Sequence, residues 1–167
     1  MRVLVSDTSV IIDLERGSLL QDLFRLPFQF AVPDLLFHRE LKGALGEQLV
    51  AWGLRVEELT SDEVARATSV RRANSALSVP DTFAFSLATV RGWTLLTGDG
   101  SLRKLAVSTG LNVHGVLWLF DQFEAGRHVP NGRLHTCLTA ISAHPRCRLP
   151  TADVKRRLAR YATTSSD

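Results

Sequence analysis

Strand-like and helix-like segments alternate through the first two thirds of the chain. Each strand-like segment is a short apolar run stopped by Gly, Pro or Asp, and each is followed by apolar residues at helical spacing. This alternation is typical of an α/β fold, in which a central parallel sheet carries helices on both faces in three layers. The pattern predicts a first strand that ends at Asp7 and further strands at Phe28–Val32, Leu54–Leu59, Trp93–Thr97 and Leu111–Val113.

The chain has 167 residues and 45% hydrophobic content, which suits one domain with one sizeable core. We expect a single domain over residues 1–167, with a core at about 1–125 and a C-terminal helical extension at about 126–162. Helices are predicted there at Gly132–Ala143 and Thr151–Ala162, followed by a frayed end at Thr163–Asp167. No apolar stretch approaches the roughly 20 residues that span a bilayer, and no signal segment opens the sequence, so we expect a cytoplasmic protein.

The basic residues are mostly arginine. Of 20 basic residues only Lys42, Lys104 and Lys155 are lysine, and arginine suits bidentate contacts with phosphate. The formal net charge of +3 permits nucleic-acid binding without requiring it. Cys137 and Cys147 have no neighbours at metal-ligand spacing, which argues against a zinc site or a disulfide framework.

Two aspartates follow strands and stand beside hydroxyls. Asp7 precedes Thr8 and Ser9, while Asp99 follows Thr97 and precedes Ser101. Each aspartate could simply cap the helix that follows it. Because parallel strands place their carboxyl ends at one edge of the sheet, the repeated arrangement favours a shared site.

Glu40 and Asp81 are the other acidic candidates. Glu40 is expected near the apolar side of a helix that Asp34 caps and that runs to about Gly43, with a solvated glutamate as the alternative. Asp81 lies in the first turn of a buried helix that Ser78 caps, and this capping role is its alternative explanation. Converging carboxylates raise each other's pKa, and a divalent cation removes that repulsion. Oxygen ligands without His or Cys favour Mg²⁺ or Mn²⁺, which can orient or deprotonate a water for attack at phosphorus.

The chain resembles the PIN-domain nucleases, and most closely the VapC-like ribonuclease toxins of type II toxin-antitoxin pairs. The resemblance covers roughly residues 1–115 and rests on four motifs in order: Val5-Ser6-Asp7-Thr8-Ser9, His38-Arg39-Glu40-Leu41, Asp81-Thr82-Phe83-Ala84 and Leu96-Thr97-Gly98-Asp99. Each motif alone is weak, but the four in this order and spacing are fairly specific.

The resemblance implies a metal-dependent endoribonuclease. The catalytic, metal-binding acids would be Asp7, Glu40, Asp81 and Asp99. Ser9 and Thr97 would be supporting hydroxyls, and Ser101 stands where many relatives have a further acid or Asn. Arg39 and Arg103 are the arginines best placed by sequence to hold substrate phosphate.

A toxin of this kind would have an antitoxin partner, and we also expect a homodimer. The predicted helix Gly115–Glu124 and the helix that follows carry more apolar side chains than a minimal core needs, which suggests a contact surface. They are Val116, Leu117, Trp118, Leu119, Phe120, Phe123, Leu134, Leu138 and Ile141.

Two other functions remain open. An aspartyl-phosphate phosphatase also uses an aspartate after its first strand, but it usually has a second acid where this chain has Ser9. A PIN-like module could instead bind RNA or protein without cleaving it. Among the remaining acids, Asp13 and Glu15 are expected to face solvent, and Asp121 is expected to be satisfied by Gln122 and Arg127.

Overall fold

The computed structural model describes residues 1–164 and shows a parallel five-stranded sheet between two layers of helices. The strands are β1 Arg2–Ser6, β2 Phe28–Pro33, β3 Arg55–Glu57, β4 Thr94–Leu96 and β5 Val113–His114. They lie in the order β3-β2-β1-β4-β5, and every neighbouring pair is parallel. The α/β class and the parallel sheet predicted from the alternating segments are confirmed.

Helices cover both faces of the sheet. One apolar cluster joins the sheet to the first helix and to the C-terminal helices, and a second joins it to helices of the middle of the chain. The helices are α1 Thr8–Arg16, α2 Leu20–Leu23, α3 Asp34–Leu36, α4 Ala44–Trp52, α5 Ser61–Ala73, α6 Val79–Arg91, α7 Gly100–Ser108, α8 Val116–Ala125, α9 Asn131–Ala143 and α10 Thr151–Thr164.

Strand β1 is central and buried on both faces. Leu4 packs in the cluster on one face and Val5 in the cluster on the other, as the alternation of side chains along a strand requires. At the carboxyl end of β1 the backbone N–H of Asp7 donates a hydrogen bond of 3.0 Å to the carbonyl of Leu96. The backbone therefore holds the end of β1 beside the end of β4.

The segment that carries Glu40 differs from the single helix predicted over Asp34–Gly43. It consists of the short helix α3 followed directly by a π-helical turn at Phe37–Leu41. Asp34 is inside α3, and Pro33 occupies the N-cap position instead. Helix α4 packs closely against the end of this turn, because a Cβ on Gly46 would lie 2.2 Å from the carbonyl oxygen of Leu41. Single π-helical turns occur frequently at functional sites.

The last strand lies later in the sequence than Leu111–Val113. The N–H of Leu111 donates to the carbonyl of Ala106 at the end of α7, so Leu111 cannot begin the strand pairing. Gly110 has φ of +74°, a conformation that glycine adopts without strain. Pairing with β4 then uses Val113 and His114.

The C-terminal helices pack back onto the sheet side that carries α1. Tyr161 of α10 lies over Phe120 of α8 with 6.4 Å between ring centroids, and both side chains are fully buried. Of the apolar residues that suggested a contact surface, the following are buried within the chain: Val116, Leu119, Phe120, Phe123, Leu134, Leu138 and Ile141. These side chains therefore complete the core.

The structure differs from two predictions for this region, the partners of Asp121 and the end of the last helix. Asp121 is held by Arg157, with 2.8 Å between Nη2 and Oδ2, and by Arg160, rather than by Gln122 and Arg127. Helix α10 continues through Thr163 and Thr164, where a frayed end was predicted, and residues 165–167 lie outside the described residues. Within residues 1–164 no helix is both long and apolar enough to cross a membrane.

Candidate functional site

Asp7 lies at the carboxyl edge of the sheet and caps helix α1. Its carboxylate accepts hydrogen bonds from the backbone N–H of Val10 at 3.1 Å and from the hydroxyl of Ser9 at 2.7 Å, both on Oδ1. The other oxygen, Oδ2, accepts a hydrogen bond of 2.5 Å from the hydroxyl of Thr97. Asp7 therefore does cap α1, which was the alternative explanation, but only Oδ1 takes part in the cap. Oδ2 is bound by Thr97 instead.

Two hydroxyls join the end of β1 to the turn after β4. Thr97 Oγ1 donates to Asp7 and accepts a hydrogen bond of 2.9 Å from the N–H of Asp99. Ser9 Oγ donates to the same aspartate and accepts a hydrogen bond of 3.0 Å from the N–H of Gly98. The two strand ends are thus locked in register, which fixes Asp7 relative to the backbone of Asp99.

Burial makes ionisation of Asp7 costly. The residue is 1% exposed, and desolvation raises the pKa of its carboxyl from 3.8 to about 6. Hydrogen bonds from Thr97, Ser9 and Val10 oppose this shift, and the charge of Asp81 adds to it. A buried carboxyl with a raised pKa beside other acidic side chains is typical of functional sites.

Asp81 lies at the electrostatic centre of the acidic group. It is in the first turn of α6, where its N–H donates a hydrogen bond of 3.2 Å to the capping hydroxyl of Ser78. Desolvation raises the pKa of the Asp81 carboxyl, a hydrogen bond from Ser78 opposes the rise, and the charges of Asp99 and Glu40 raise the pKa further. Asp81 also raises the pKa of Asp7, so it interacts electrostatically with each of the other three predicted acids.

Glu40 is exposed on the π-helical turn and reaches towards α1. Its Oε2 accepts a hydrogen bond from the hydroxyl of Thr8, the residue after Asp7. Thr8 is not among the site residues predicted from the sequence. The signal was present, because Thr8 is one of two adjacent hydroxyls after a strand-end aspartate.

The supporting residues occupy different surroundings. Ser101 is exposed in the first turn of α7, whose N-cap is Asp99 through a hydrogen bond of 2.8 Å from the N–H of Leu102. Arg103 lies on α7 and donates a long hydrogen bond of 3.4 Å to the carbonyl of Thr97. Arg39 is exposed and lines a different depression, together with His38. Of the two predicted phosphate ligands, Arg103 is therefore the one beside the Asp7–Asp99 edge.

The donor set suits a hard divalent cation, although its ligands are not already assembled. Among residues 1–164, no three carboxylate, imidazole or thiol side chains are arranged to hold a metal ion. In the same part of the chain, the groups that oppose the raised pKa values of Asp7 and Asp81 are hydroxyls and backbone amides rather than arginine or lysine. A cation would supply that missing charge, and carboxylate and hydroxyl oxygens are the ligands that Mg²⁺ and Mn²⁺ prefer.

Two cavities flank the turn at Gly98, and the segment between α9 and α10 lines both. The first, which we call the Asp99 cavity, is about 640 Å³ and is lined by Ser9, Ile12, Asp13, Arg16, Gly98, Asp99 and residues 145–148. The second, the His114 cavity, is about 460 Å³ and contains Arg103, His114, Trp118 and residues 148–150 in its wall.

Asp13 does not face solvent as expected. It lines the Asp99 cavity and pairs with Arg16 at 3.6 Å, and burial raises the pKa of its carboxyl. Arg146 and Arg148 of the connecting segment were not predicted as site residues. Their only sequence signal was a run of basic residues between two prolines, which does not indicate where such a segment folds.

The chain was compared with family profiles, curated proteins and solved structures. The profile of a family described as a PIN domain matches residues 3–162. No curated protein matches the chain. One solved structure that matches is a toxin-antitoxin complex from Klebsiella pneumoniae, with 22% identity over 57% of this chain and 86% of that chain. Its TM-score is 0.46.

The family assignment rests on the length of the profile match. It extends from the first strand to the last helix, and so includes every element that contributes to the acidic edge. PIN domains are generally nucleases and typically use divalent metals. With its sheet, its acidic edge and this match, the chain belongs to the PIN domain family.

Proposed function

We propose that the protein is a Mg²⁺- or Mn²⁺-dependent endoribonuclease that hydrolyses RNA phosphodiester bonds. One observation supports the proposal most directly: at the carboxyl edge, Asp81 repels the buried carboxylate of Asp7 and is itself repelled by Asp99 and Glu40. Burial and these charges together disfavour the ionised forms of Asp7 and Asp81, and a bound ligand of opposite charge would offset that cost. A divalent cation is the simplest compensating ligand.

The site residues would have two roles, metal binding and support of the Asp7 carboxylate. Asp7, Asp81, Asp99 and Glu40 would hold the cation through oxygen atoms. Ser9 and Thr97 keep the Asp7 carboxylate in place and favour its charged form. A bound divalent cation lowers the pKa of water and stabilises charge that develops on phosphate.

The direct test is cleavage of mixed cellular RNA by the purified protein with Mg²⁺, with Mn²⁺ and with EDTA. Cleavage in both metals and none in EDTA is expected, with 5′-phosphate and 3′-hydroxyl products as the family resemblance implies. Asp62→Asn, which alters an exposed side chain of α5, is the matched control for Asp7→Asn and Asp99→Asn. Ends that carry a 2′,3′-cyclic phosphate would show that the ribose hydroxyl is the nucleophile and would contradict the proposal.

The biological setting we propose is a cytoplasmic toxin held in check by an antitoxin protein. The support is the resemblance of the four acidic motifs to VapC-like toxins. Co-expression with the product of an adjacent gene tests it: growth arrest by this protein alone, relieved by the neighbour, is expected. Growth arrest that no neighbouring gene product relieves would count against the antitoxin.

A homodimer is part of the same proposal. Because most of the apolar side chains of α8 and α9 are buried within one chain, the contact would use other surface residues, for which the exposed side chains of Val50, Val90 and Val107 are candidates. Light scattering at tens of micromolar tests this directly. A strictly monomeric species would remove the dimer and leave the nuclease proposal unchanged.

A non-catalytic binding module is the second candidate. The observation that favours it is that, within residues 1–164, no three carboxylate, imidazole or thiol side chains are already arranged as a metal site. Calorimetric titration with Mn²⁺ separates the two. A module without catalysis would show no binding that depends on Asp7.

A further inference from the structure

The connector between α9 and α10, residues 144–150, lies along the acidic edge. Residues 145–148 line the Asp99 cavity, and residues 148–150 line the His114 cavity. Arg148 therefore lines both cavities, as Gly98 does. A segment some fifty residues after Asp99 in the sequence thus forms part of the rim of the site.

The arginines of the two cavities fall into two groups. Arg16 pairs with Asp13 at 3.6 Å, and Arg157 pairs with Asp121 at 2.8 Å. Within the described part of the chain, Arg103, Arg146 and Arg148 form no ion pair with a carboxylate. Arg146 and Arg148 are exposed, so their guanidinium groups can reach an incoming ligand.

The carboxylates in the same walls form no ion pair with these arginines within residues 1–164. Asp13 is paired with Arg16, and Asp153 is paired with Arg156. Asp99 uses one oxygen, Oδ1, to cap α7. Unpaired guanidinium groups beside an acidic hydrolytic edge suit an anion that presents oxygen atoms in a plane, and phosphate fits their fork geometry.

An aromatic pair lies beside these cations. His114 stacks on Trp118 with 4.0 Å between ring centroids and an angle of 5° between the rings, and both residues line the His114 cavity. Burial and the charges of Arg2 and Arg103 lower the pKa of His114, which favours a neutral ring. Aromatic surfaces next to cations bind unpaired bases by stacking, whereas a duplex keeps its bases stacked on each other.

We propose that Arg148, with Arg146 and Arg103 on its two sides, binds backbone phosphates of a single-stranded RNA substrate and positions it next to Asp99. This inference rests on the proposed function, because it takes RNA as the substrate. The connector would then have a role in the site. Arg148 would contact the substrate, and helices α9 and α10 would hold Arg148 in position. The expected ligand is a strand that crosses the turn at Gly98 from one cavity to the other.

The test measures binding in a protein that does not cleave. Asp7→Asn provides the background, and to it are added Arg148→Ala, Arg148→Lys and, as matched control, Arg66→Ala, an exposed arginine of α5 that lines neither cavity. Fluorescence anisotropy follows a short labelled single-stranded RNA of mixed sequence, and the corresponding duplex, over a series of salt concentrations. Circular dichroism of each variant confirms that its fold is intact.

Arg148→Ala is expected to weaken binding of the single strand by about tenfold and to reduce the slope of log affinity against log salt by about 0.7, the loss expected for one phosphate contact. Arg148→Lys should retain the slope, because the charge remains. Arg66→Ala should change neither quantity. The duplex should bind more weakly than the single strand.

The outcomes separate the two proposals. Equal affinity and slope for Arg148→Ala and Arg66→Ala would overturn this inference, as would equal binding of duplex and single strand. If the protein with Asp7 intact cleaves RNA but does not need Arg148, the proposed function stands and this inference falls. If Arg148-dependent binding occurs but the protein with Asp7 intact never cleaves, the inference stands as an RNA-binding site and the nuclease proposal falls.

Discussion

Thr97 Oγ1 donates a hydrogen bond of 2.5 Å to Oδ2 of Asp7, although the two residues are 90 positions apart in the sequence. The same hydroxyl accepts a hydrogen bond from the N–H of Asp99. One side chain therefore links two of the four acids, and it does so where β1 and β4 end side by side. This hydroxyl also favours the charged form of a carboxylate that burial disfavours.

Thr97→Val should raise the pKa of Asp7 further. The hydrogen bond from Thr97 lowers that pKa, and its loss is expected to move it upwards by about one to two pH units. Because a cation binds the charged carboxylate, the pH at which Mn²⁺ affinity falls by half should rise by a similar amount. Calorimetric titration across pH measures this shift. Thr97→Ser retains the hydroxyl and is the control, and identical pH profiles for the two variants would contradict the prediction.

Mn²⁺ should bind the wild type and bind Asp7→Asn or Asp99→Asn much more weakly. Each substitution removes a charged oxygen from a set that lacks a compensating cation within residues 1–164. Isothermal titration calorimetry measures the affinity directly. Asp62→Asn, on the exposed side of α5, should leave it unchanged. Equal affinity in all four proteins would exclude the shared cation site.

Without metal, Asp7→Asn should be more stable than the wild type at neutral pH. The folded-state pKa of Asp7 is raised from 3.8 to about 6, so the native state binds its proton more tightly than the unfolded state does. The contribution of this group to stability is fully present below about pH 3.8 and is lost as pH rises through about 6. The neutral amide avoids a loss of up to about 3 kcal/mol at pH 7, reduced by whatever hydrogen bonding the amide forfeits.

Urea unfolding in EDTA at pH 7 and at pH 4 tests this expectation. The gain should appear at pH 7 and nearly vanish at pH 4, where the wild-type carboxyl is mostly protonated when folded. Mn²⁺ should stabilise the wild type and leave the variant unaffected. A variant that is less stable at both pH values would show that the hydrogen bonds of Asp7 outweigh its desolvation.

Arg91→Ala should destabilise the fold by about 3 kcal/mol. Glu63 is 2% exposed, and its Oε2 lies 2.9 Å from Nε of Arg91, which also contacts Glu57 at 2.9 Å. Removal of the arginine leaves a buried carboxylate without its cation. Urea unfolding at pH 7 measures the loss, and Arg66→Ala should change stability by less than about 0.5 kcal/mol.

The same pair gives a dependence on pH. Arg91 lowers the pKa of the Glu63 carboxyl, so the pair contributes stability above the unfolded-state pKa of glutamate and loses it as pH falls through the lower folded value. The difference between wild type and Arg91→Ala should therefore shrink in acid. A difference that stays constant down to pH 3 would show that packing of Arg91 over Trp93, rather than its charge, carries the effect.

Much of the carboxyl edge could be predicted from the sequence because its signals are local. Asp7 directly follows an apolar strand and Asp99 follows another by three residues, each precedes a helix, and the hydroxyls of Ser9 and Thr97 stand within two residues of them. Caps and strand ends depend on such short-range patterns, so the ends of β1 and β4 and the cap of α6 by Ser78 were predicted within a residue or two. The parallel sheet followed from the alternation of strands and helices.

Packing between elements determined the remainder. The π-helical turn that contains Glu40 ends at Leu41, where Gly46 of α4 packs closely against it, and helical periodicity does not reveal this contact. Arg91 binds Glu63, which is 28 residues away in the sequence, and Arg157 binds Asp121, which is 36 residues away. Neither partner could be assigned from neighbouring residues. Arg148 reaches the turn at Gly98 only because α9 and α10 fold back on the side of α1. Short-range hydrogen bonding set which residues end each strand, whereas burial of the C-terminal helices decided which arginines lie beside the acids.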